Sequence, residues 1–218
     1  MFRHVRREAP IKRLRPQRFG SLDIFFSNAG AGGDLSPIVD ITPEGLDNTF
    51  ALNLHAHVLA HKHAARQMQK QGTGGSLITT SSTAGVQAGW AATAYSVAKA
   101  GVLALVRNAA LELGASGIRS NAIIPGAVIT PIMAGYMGIP AEKQDDYLKV
   151  LVERLADQQP AGRAGTPQDI ANAALFLGSD LSTWITGVGL PVDGGALAAT
   201  SVQTGPIAAA AAQEFLAG

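Results

Sequence analysis

The chain has 218 residues, 47% of them apolar, enough for one well-packed core and short for two domains of ordinary size. With no Cys, disulfides and thiolate metal sites are excluded, and a reducing, cytoplasmic compartment is the expectation. The net charge of +1 conceals an uneven distribution, since residues 1–18 carry Arg3, Arg6, Arg7, Lys12, Arg13, Arg15 and Arg18 against Glu8 alone, a net +6 that leaves the remainder at −5.

That basic start reads as a solvated, irregular segment set apart from a single domain over residues 19–218. A transit peptide is the weaker reading, because the segment lacks Ser and is interrupted by Pro10 and Pro16. A nucleic-acid-binding arm is weaker still, with no aromatic interleaving beyond Phe2, so no nucleic-acid partner is expected. No apolar run reaches the ~20 residues that cross a bilayer, the Ala-rich end at 207–218 included, so a soluble protein without a membrane partner is expected.

Residues 22–26 form a short apolar run closed by Asn28-Ala29-Gly30 and two further glycines, which predicts a buried strand ending in a tight turn. Thr42-Pro43-Glu44 places a capping hydroxyl before a Pro at the first helical position, and an Ala- and Leu-rich helix is expected to about Gln71. A second strand over 77–81 leads into small residues and then a long helix over 92–113, with Gly114 as its stop. Residues 118–124 read as a third strand broken by Pro125-Gly126, and 188–192 as a fourth. Between them lie a mobile-looking stretch over 130–165 and a helix opened by Thr166-Pro167, with Asp169 in its first turn, that ends near Gly178. Strands alternating with helices of this length imply parallel pairing through right-handed crossovers, hence an α/β doubly wound parallel sheet.

The sharpest local signal is Tyr95-Ser96-Val97-Ala98-Lys99, where Tyr and Lys stand four apart near a helix start and share one face. A phenol, with an ordinary pKa near 10, is a poor acid-base catalyst at neutrality, but an ammonium one turn away favours the phenolate. Three Tyr and six Lys give about 0.08 such spacings by chance, so the pair gains weight from its company. Ser82 lies at the end of the preceding strand, thirteen residues before Tyr95, where a hydroxyl could donate to a carbonyl oxygen at the mouth of the sheet.

With Asn28-Ala29-Gly30 at one strand end, Pro125-Gly126 at another and Asn53 in the Phe50-Ala51-Leu52-Asn53-Leu54 helix, the constellation resembles the short-chain dehydrogenase/reductase family of the common, soluble kind, from about Phe19 to Gly195. The resemblance implies a Rossmann-like fold and an NAD- or NADP-dependent enzyme that interconverts a secondary alcohol and a ketone by hydride transfer. It implies Tyr95 as general acid/base, Lys99 as the cation that tunes it and holds the nicotinamide ribose, Ser82 as the group that polarises the carbonyl, and Asn53 as the holder of a relay water; Ser81 is the weaker candidate for the Ser82 role. Asn28, Ala29 and Gly30 would line the adenine-ribose side, and Pro125, Gly126, Val128 and Thr130, in a segment similar to the family's Pro-Gly-x-x-x-Thr, would cradle the carboxamide. The expected partners are a small alcohol or ketone and further copies of the chain, as a homodimer or homotetramer.

Members of that family open with a strand and a Gly-rich turn, Thr-Gly-x-x-x-Gly-x-Gly, that holds the pyrophosphate, and nothing of that kind precedes Leu22. The chain is therefore expected to be N-terminally truncated, through a wrong start site or as a genuine shortened paralogue, with an unrecognised N-terminal fold as the lesser alternative. The first strand would then be an edge with uncovered apolar surface. The rival functional reading is a catalytically inactive remnant acting as an oligomer-forming subunit. His55, His57, His61 and His63 cluster on the Asn53 helix; interface or surface histidines are the favoured reading, and an i,i+4 metal pair at His57 and His61 the other. Ile132, Met133, Tyr136, Met137 and Ile139 would belong to a substrate lid, and suggest an apolar alcohol or ketone rather than a phosphorylated sugar, although a simple lid core explains them equally well and leaves the substrate open.

Overall fold

A computed structural model describes residues 20–156 and 159–199. The basic segment 1–18 and the Ala-rich end 207–218 lie outside the described residues. Four strands, β1 (Ile24–Ser27), β2 (Gly75–Thr80), β3 (Ile118–Pro125) and β4 (Gly189–Val192), form one parallel sheet in the order β1-β2-β3-β4. Parallel strands need crossovers, and these are α1 (Pro43–Phe50) running on into α2 (Ala56–Gln71), α3 (Thr93–Leu113), and a set of helices α4 (Pro131–Tyr136), α5 (Gln144–Ala156) and α6 (Pro167–Gly178).

Strand parity decides which residue meets which layer. Phe25, Leu77 and Ile118 face α2, where they pack with Leu22, Ala64, Ala65, Met68 and Leu113. Phe26, Ile78 and Ile123, of the opposite parity, face α6, where they meet Leu177, Ile170 and Phe176. A sheet covered on both faces buries both parities, which is why β2 and β3 are apolar runs rather than alternating ones. Among the described residues β1 pairs with β2 alone, and Ile24 is 45% exposed, in line with the expected edge.

The helix starts follow the sequence signals. Thr42 Oγ1 accepts from Gly45 N at 3.0 Å with Pro43 at the first position, and the Asp169 carboxylate accepts from both the backbone N–H and the hydroxyl of Thr166 at 2.8 Å while Arg163 grips its two oxygens at 2.7 and 2.8 Å. The far end of α6 is closed by Arg119, which donates to the carbonyls of Leu177 and Ser179. Two expectations are corrected. The stretch 130–165 is helical in α4 and α5, started by Thr130-Pro131 and by Asp145 and Asp146 in a first turn. As expected, α3 ends at Leu113 with Gly114 as its C-cap; Gly114 stays right-handed, and the chain continues as a 3₁₀ turn over Gly114–Ser116 to the left-handed Gly117 (φ 69°). Between α1 and α2, Ala51–His55 is a π-helical turn in which Ala56 N donates to Ala51 O, five residues back.

Candidate active site

Because all four strands run the same way, their carboxyl ends open on one edge, and the sequence-predicted residues gather there. The loop after β1 carries Asn28, Ala29 and Gly30; the end of β2 leads into Ser81 and Ser82; the end of β3 supplies Pro125, Gly126, Val128 and Thr130. In the strand order, the loops after β1 and β3 flank the Ser81-Ser82 step.

The first turns of α3 hold Tyr95, half-buried, and Lys99, 2% exposed. Lys99 Nζ lies 5.6 Å from the Tyr95 ring centroid and donates to Thr80 O at 3.0 Å, so the ammonium is anchored to the last residue of β2. Burial pushes Lys99 down to about 8 from its ordinary 10.5. Ser81 and Ser82, adjacent in sequence, part in role: Ser81 Oγ is buried and donates to Lys99 O at 2.8 Å, a structural tie, whereas Ser82 is half-buried and accepts from Ala84 N at 3.1 Å, which leaves its O–H to donate. Beyond it Gly85 presses on α3, where an added Cβ would stand 2.7 Å from Lys99 C and 2.8 Å from Ala100 N. Neither is a flexible side chain, so Gly85→Ala is expected to cost about 1–3 kcal/mol and to displace Lys99; chemical denaturation with an unchanged midpoint would refute this.

Asn53 is fully buried inside the π-turn. Its Nδ2 donates to Thr49 O at 3.1 Å and its Oδ1 accepts from Ala31 N at 3.2 Å, tying the loop after β1 to the helix. A Cβ on Gly30 would stand 3.1 Å from Asn53 Oδ1 and 3.4 Å from Lys99 Nζ, so Gly30, Asn53 and Lys99 border one small space. Asn28 Oδ1 accepts from Thr80 Oγ1 at 2.6 Å, and Asn28 and Ala29 are exposed.

Pro125, Gly126, Val128 and Thr130 form the wall beyond β3. Gly126 N donates to Val192 O at 3.2 Å, and a Cβ there would meet Asp193 Cα at 2.8 Å, so only glycine allows the two strand ends to approach. Val128 bridges to Gly165, and Thr130 caps the start of α4. Ala127, Gln159, Arg163, Gly165 and Asp193 line a cavity of about 240 Å³ that adjoins this wall.

His57 and His61 correct the surface reading: they are 1% and 4% exposed and lie against the sheet, while His55 alone of the cluster is exposed, edge-on to Phe50. His57 Nδ1 is 2.7 Å from Ser27 Oγ, and His61 Nε2 is 3.3 Å from Ser120 Oγ. The spacing 49, 53, 57, 61, continued at 64, 65 and 68, marks one buried face and is the signal that could have placed them inside. Among the described residues no cluster of three or more His, Asp or Glu could hold a metal ion, and no helix is long and apolar enough to cross a membrane.

Residues 6–196 match the family model for enoyl-(acyl carrier protein) reductase. The chain is 40% identical over 185 residues to an L-rhamnose-1-dehydrogenase of Scheffersomyces stipitis, covering 85% of this chain and 68% of that one. It is 35% identical over 179 residues to an L-rhamnose 1-dehydrogenase (NAD(P)(+)) of a Sphingomonas species, covering 82% and 66%. A crystal structure of levodione reductase superposes with a TM-score of 0.74 at 33% identity, covering 85% of this chain and 70% of that one. The chain thus spans about two thirds of the length of the relatives it matches.

Proposed function

Since the chain belongs to the short-chain dehydrogenase/reductase family of oxidoreductases, we propose that it interconverts a secondary alcohol and a ketone with NAD or NADP, using Tyr95 as the acid/base. The observation that carries this reading is the buried Lys99 ammonium, anchored on Thr80 and held 5.6 Å from the Tyr95 ring at the carboxyl end of the sheet. A cation taken out of water at a strand mouth adds nothing to stability, and its retention fits a chemical task.

The described residues fit the nicotinamide-ribose end of a dinucleotide. An ammonium has three donors and Thr80 O takes one, which leaves donors for a ribose hydroxyl, and the missing Cβ of Gly30 keeps the adjoining space open. When bound, the nicotinamide supplies the hydride acceptor for oxidation and the hydride donor for reduction. Asn28, Ala29 and Gly30 would hold the adenine-ribose side, and Pro125, Gly126, Val128 and Thr130 the carboxamide. In the oxidising direction Tyr95 Oη takes the proton of the substrate hydroxyl; in reduction it returns it. Lys99 favours the phenolate by its charge, and Ser82 donates to the substrate oxygen as it becomes a carbonyl. Asn53 fixes the π-turn against the loop after β1 and holds the relay water beside Lys99. Met133 and Ile129, half-buried along the wall, favour a substrate with an apolar flank.

The test is to mix the purified chain with NAD or NADP and either L-rhamnose or simple secondary alcohols, following the absorbance of reduced nicotinamide. Saturable formation of the reduced cofactor is expected. A folded chain that binds neither dinucleotide and turns over nothing would overturn the assignment and leave the oligomer-forming subunit as its reading.

A further inference from the structure

Beneath the site lies a second polar cluster that the reaction above leaves unused. Ser27, Thr79 and Ser120 project from β1, β2 and β3 toward α2, and His57 and His61 descend to meet them. His61 is satisfied on both sides: Nδ1 is 3.1 Å from His57 O, to which only an N–H can bond, and Nε2 then accepts from the hydroxyls of Ser120 and Thr79 at 3.3 and 3.4 Å. His57 is satisfied on one side only. Its Nδ1 meets Ser27 Oγ at 2.7 Å, and its Nε2 is fully buried with no hydrogen-bond partner among the described residues.

The two tautomers of His57 are not equivalent here. Burial first, then the charge of Lys99 and the neighbouring His61, push its pKa down to about 4, so the ring is neutral near pH 7 and carries one N–H and one lone pair. An N–H on Nε2 would be a buried donor without an acceptor in the field of a cation. An N–H on Nδ1 donates to Ser27 Oγ and leaves Nε2 with a lone pair, which a nearby cation favours. The backbone places the two groups close together: Ser27, which holds His57, pairs with Thr79, and the next residue, Thr80, holds Lys99 by its carbonyl. Asn53, one turn before His57 on the same buried face, borders the same small space as Lys99 Nζ.

We propose that His57 is a positioning residue for Lys99: its Nε2 lone pair accepts, through one bound water, from the Lys99 ammonium and holds it beneath Tyr95. The inference rests on the proposed roles of Tyr95 and Lys99. Ser27 from β1 is in hydrogen-bond contact with His57, and the titratable groups whose charge acts on it are Lys99 from α3 and His61 from its own helix. An acceptor at this place favours the ammonium over the amine, and through the ammonium the phenolate of Tyr95.

Two variants separate positioning from packing. His57→Asn keeps an amide at the level of Nδ1, and with it the contact to Ser27, but places nothing at the level of Nε2; His57→Gln keeps a polar atom at the Nε2 level. Without the acceptor Lys99 is less readily charged, so the acid limb of kcat/KM for alcohol oxidation in His57→Asn is expected to move to higher pH by about one unit, with His57→Gln close to the parent. A loss of amplitude with an unmoved limb in both variants is what a packing role gives, and would overturn the proposal. Imidazole ¹⁵N spectra of the full chain decide independently of turnover. The expected result is His57 protonated on Nδ1, bare on Nε2 and unchanged from about pH 5.5 to 8, with the Nε2 resonance shifted in Lys99→Met. An Nε2–H tautomer, titration near the ordinary histidine value, or an Nε2 resonance indifferent to Lys99→Met overturns it even in a chain that catalyses nothing.

Discussion

Tyr95→Phe is expected to lower turnover by about 10²–10⁴-fold while leaving dinucleotide binding and folding close to the parent. The substitution removes one oxygen from a half-buried ring and keeps the ring itself, with Lys99 5.6 Å from its centroid. A phenyl ring can neither take nor return the hydroxyl proton, and no described neighbour is placed to replace it: Lys99 is tied to Thr80, and Ser82 is too weak a base. The change should fall on kcat and on kcat/KM alike, because the proton moves only as the transition state forms. Steady-state kinetics beside a nicotinamide fluorescence titration make the comparison. A variant that keeps more than a tenth of the parent's turnover would remove Tyr95 from the chemistry.

Lys99→Met is expected to abolish measurable turnover and, at neutral pH, to raise stability. A methionine follows the path of the lysine stem, and it removes a charge whose burial has brought the group from 10.5 down to about 8. That shift is a stability cost of roughly 3 kcal/mol below pH 8. Against it stands the Thr80 carbonyl, which loses its donor at a cost of about 1–2 kcal/mol. A net gain of about 1–2 kcal/mol corresponds to a Tm higher by roughly 2–8 °C in a domain of this size. The sign of the pH dependence is fixed by the same shift. As pH rises from about 8 toward 10.5 the native parent has released the proton that the unfolded chain still binds, so the parent gains stability and the gap between the two proteins closes. Thermal scans of both proteins at pH 7 and pH 10 measure it, and a Lys99→Met variant less stable than the parent at pH 7 would show that Lys99 serves the fold.

The contrast between these two substitutions marks what the sequence could and could not disclose. Tyr95 and Lys99 were legible because their spacing is local and their chemistry uncommon at that spacing, and the capping signals at Thr42-Pro43 and Thr166-Pro167-Asp169 were legible because each is closed by side chains within three residues. The strands were legible as apolar runs, since both parities are buried. Ser82 over Ser81 rested on resemblance alone; the geometry adds that the Ser81 hydroxyl is already tied to Lys99 O. The helices within 130–165 escaped notice because Gly135, Gly138 and Pro140 punctuate them and α4 spans only six residues. Gly114 was legible as the end of α3, while the left-handed Gly117 that closes the 3₁₀ turn after it was not. His57 and His61 escaped because residue type outweighed spacing: the face they share with Asn53, Ala64 and Met68 is the buried one, and histidine there is polar only in name once Ser27 and Ser120 meet it.

The π-turn at Ala51–His55 bears on how this chain is compared with others. A five-residue hydrogen-bonded step contains one residue more than an α-helical step, so the helix that begins at Pro43 and ends at Gln71 is one residue longer than a regular helix covering the same turns. Upstream, Thr49 keeps its phase; downstream, His57, His61 and Met68 keep theirs; the surplus is taken up between them. Set beside a relative whose helix is regular at this place, the two buried faces coincide only if a single gap is opened within 51–55. An alignment that pushes that gap elsewhere turns everything in between by about 100° and pairs core positions with solvent-facing ones.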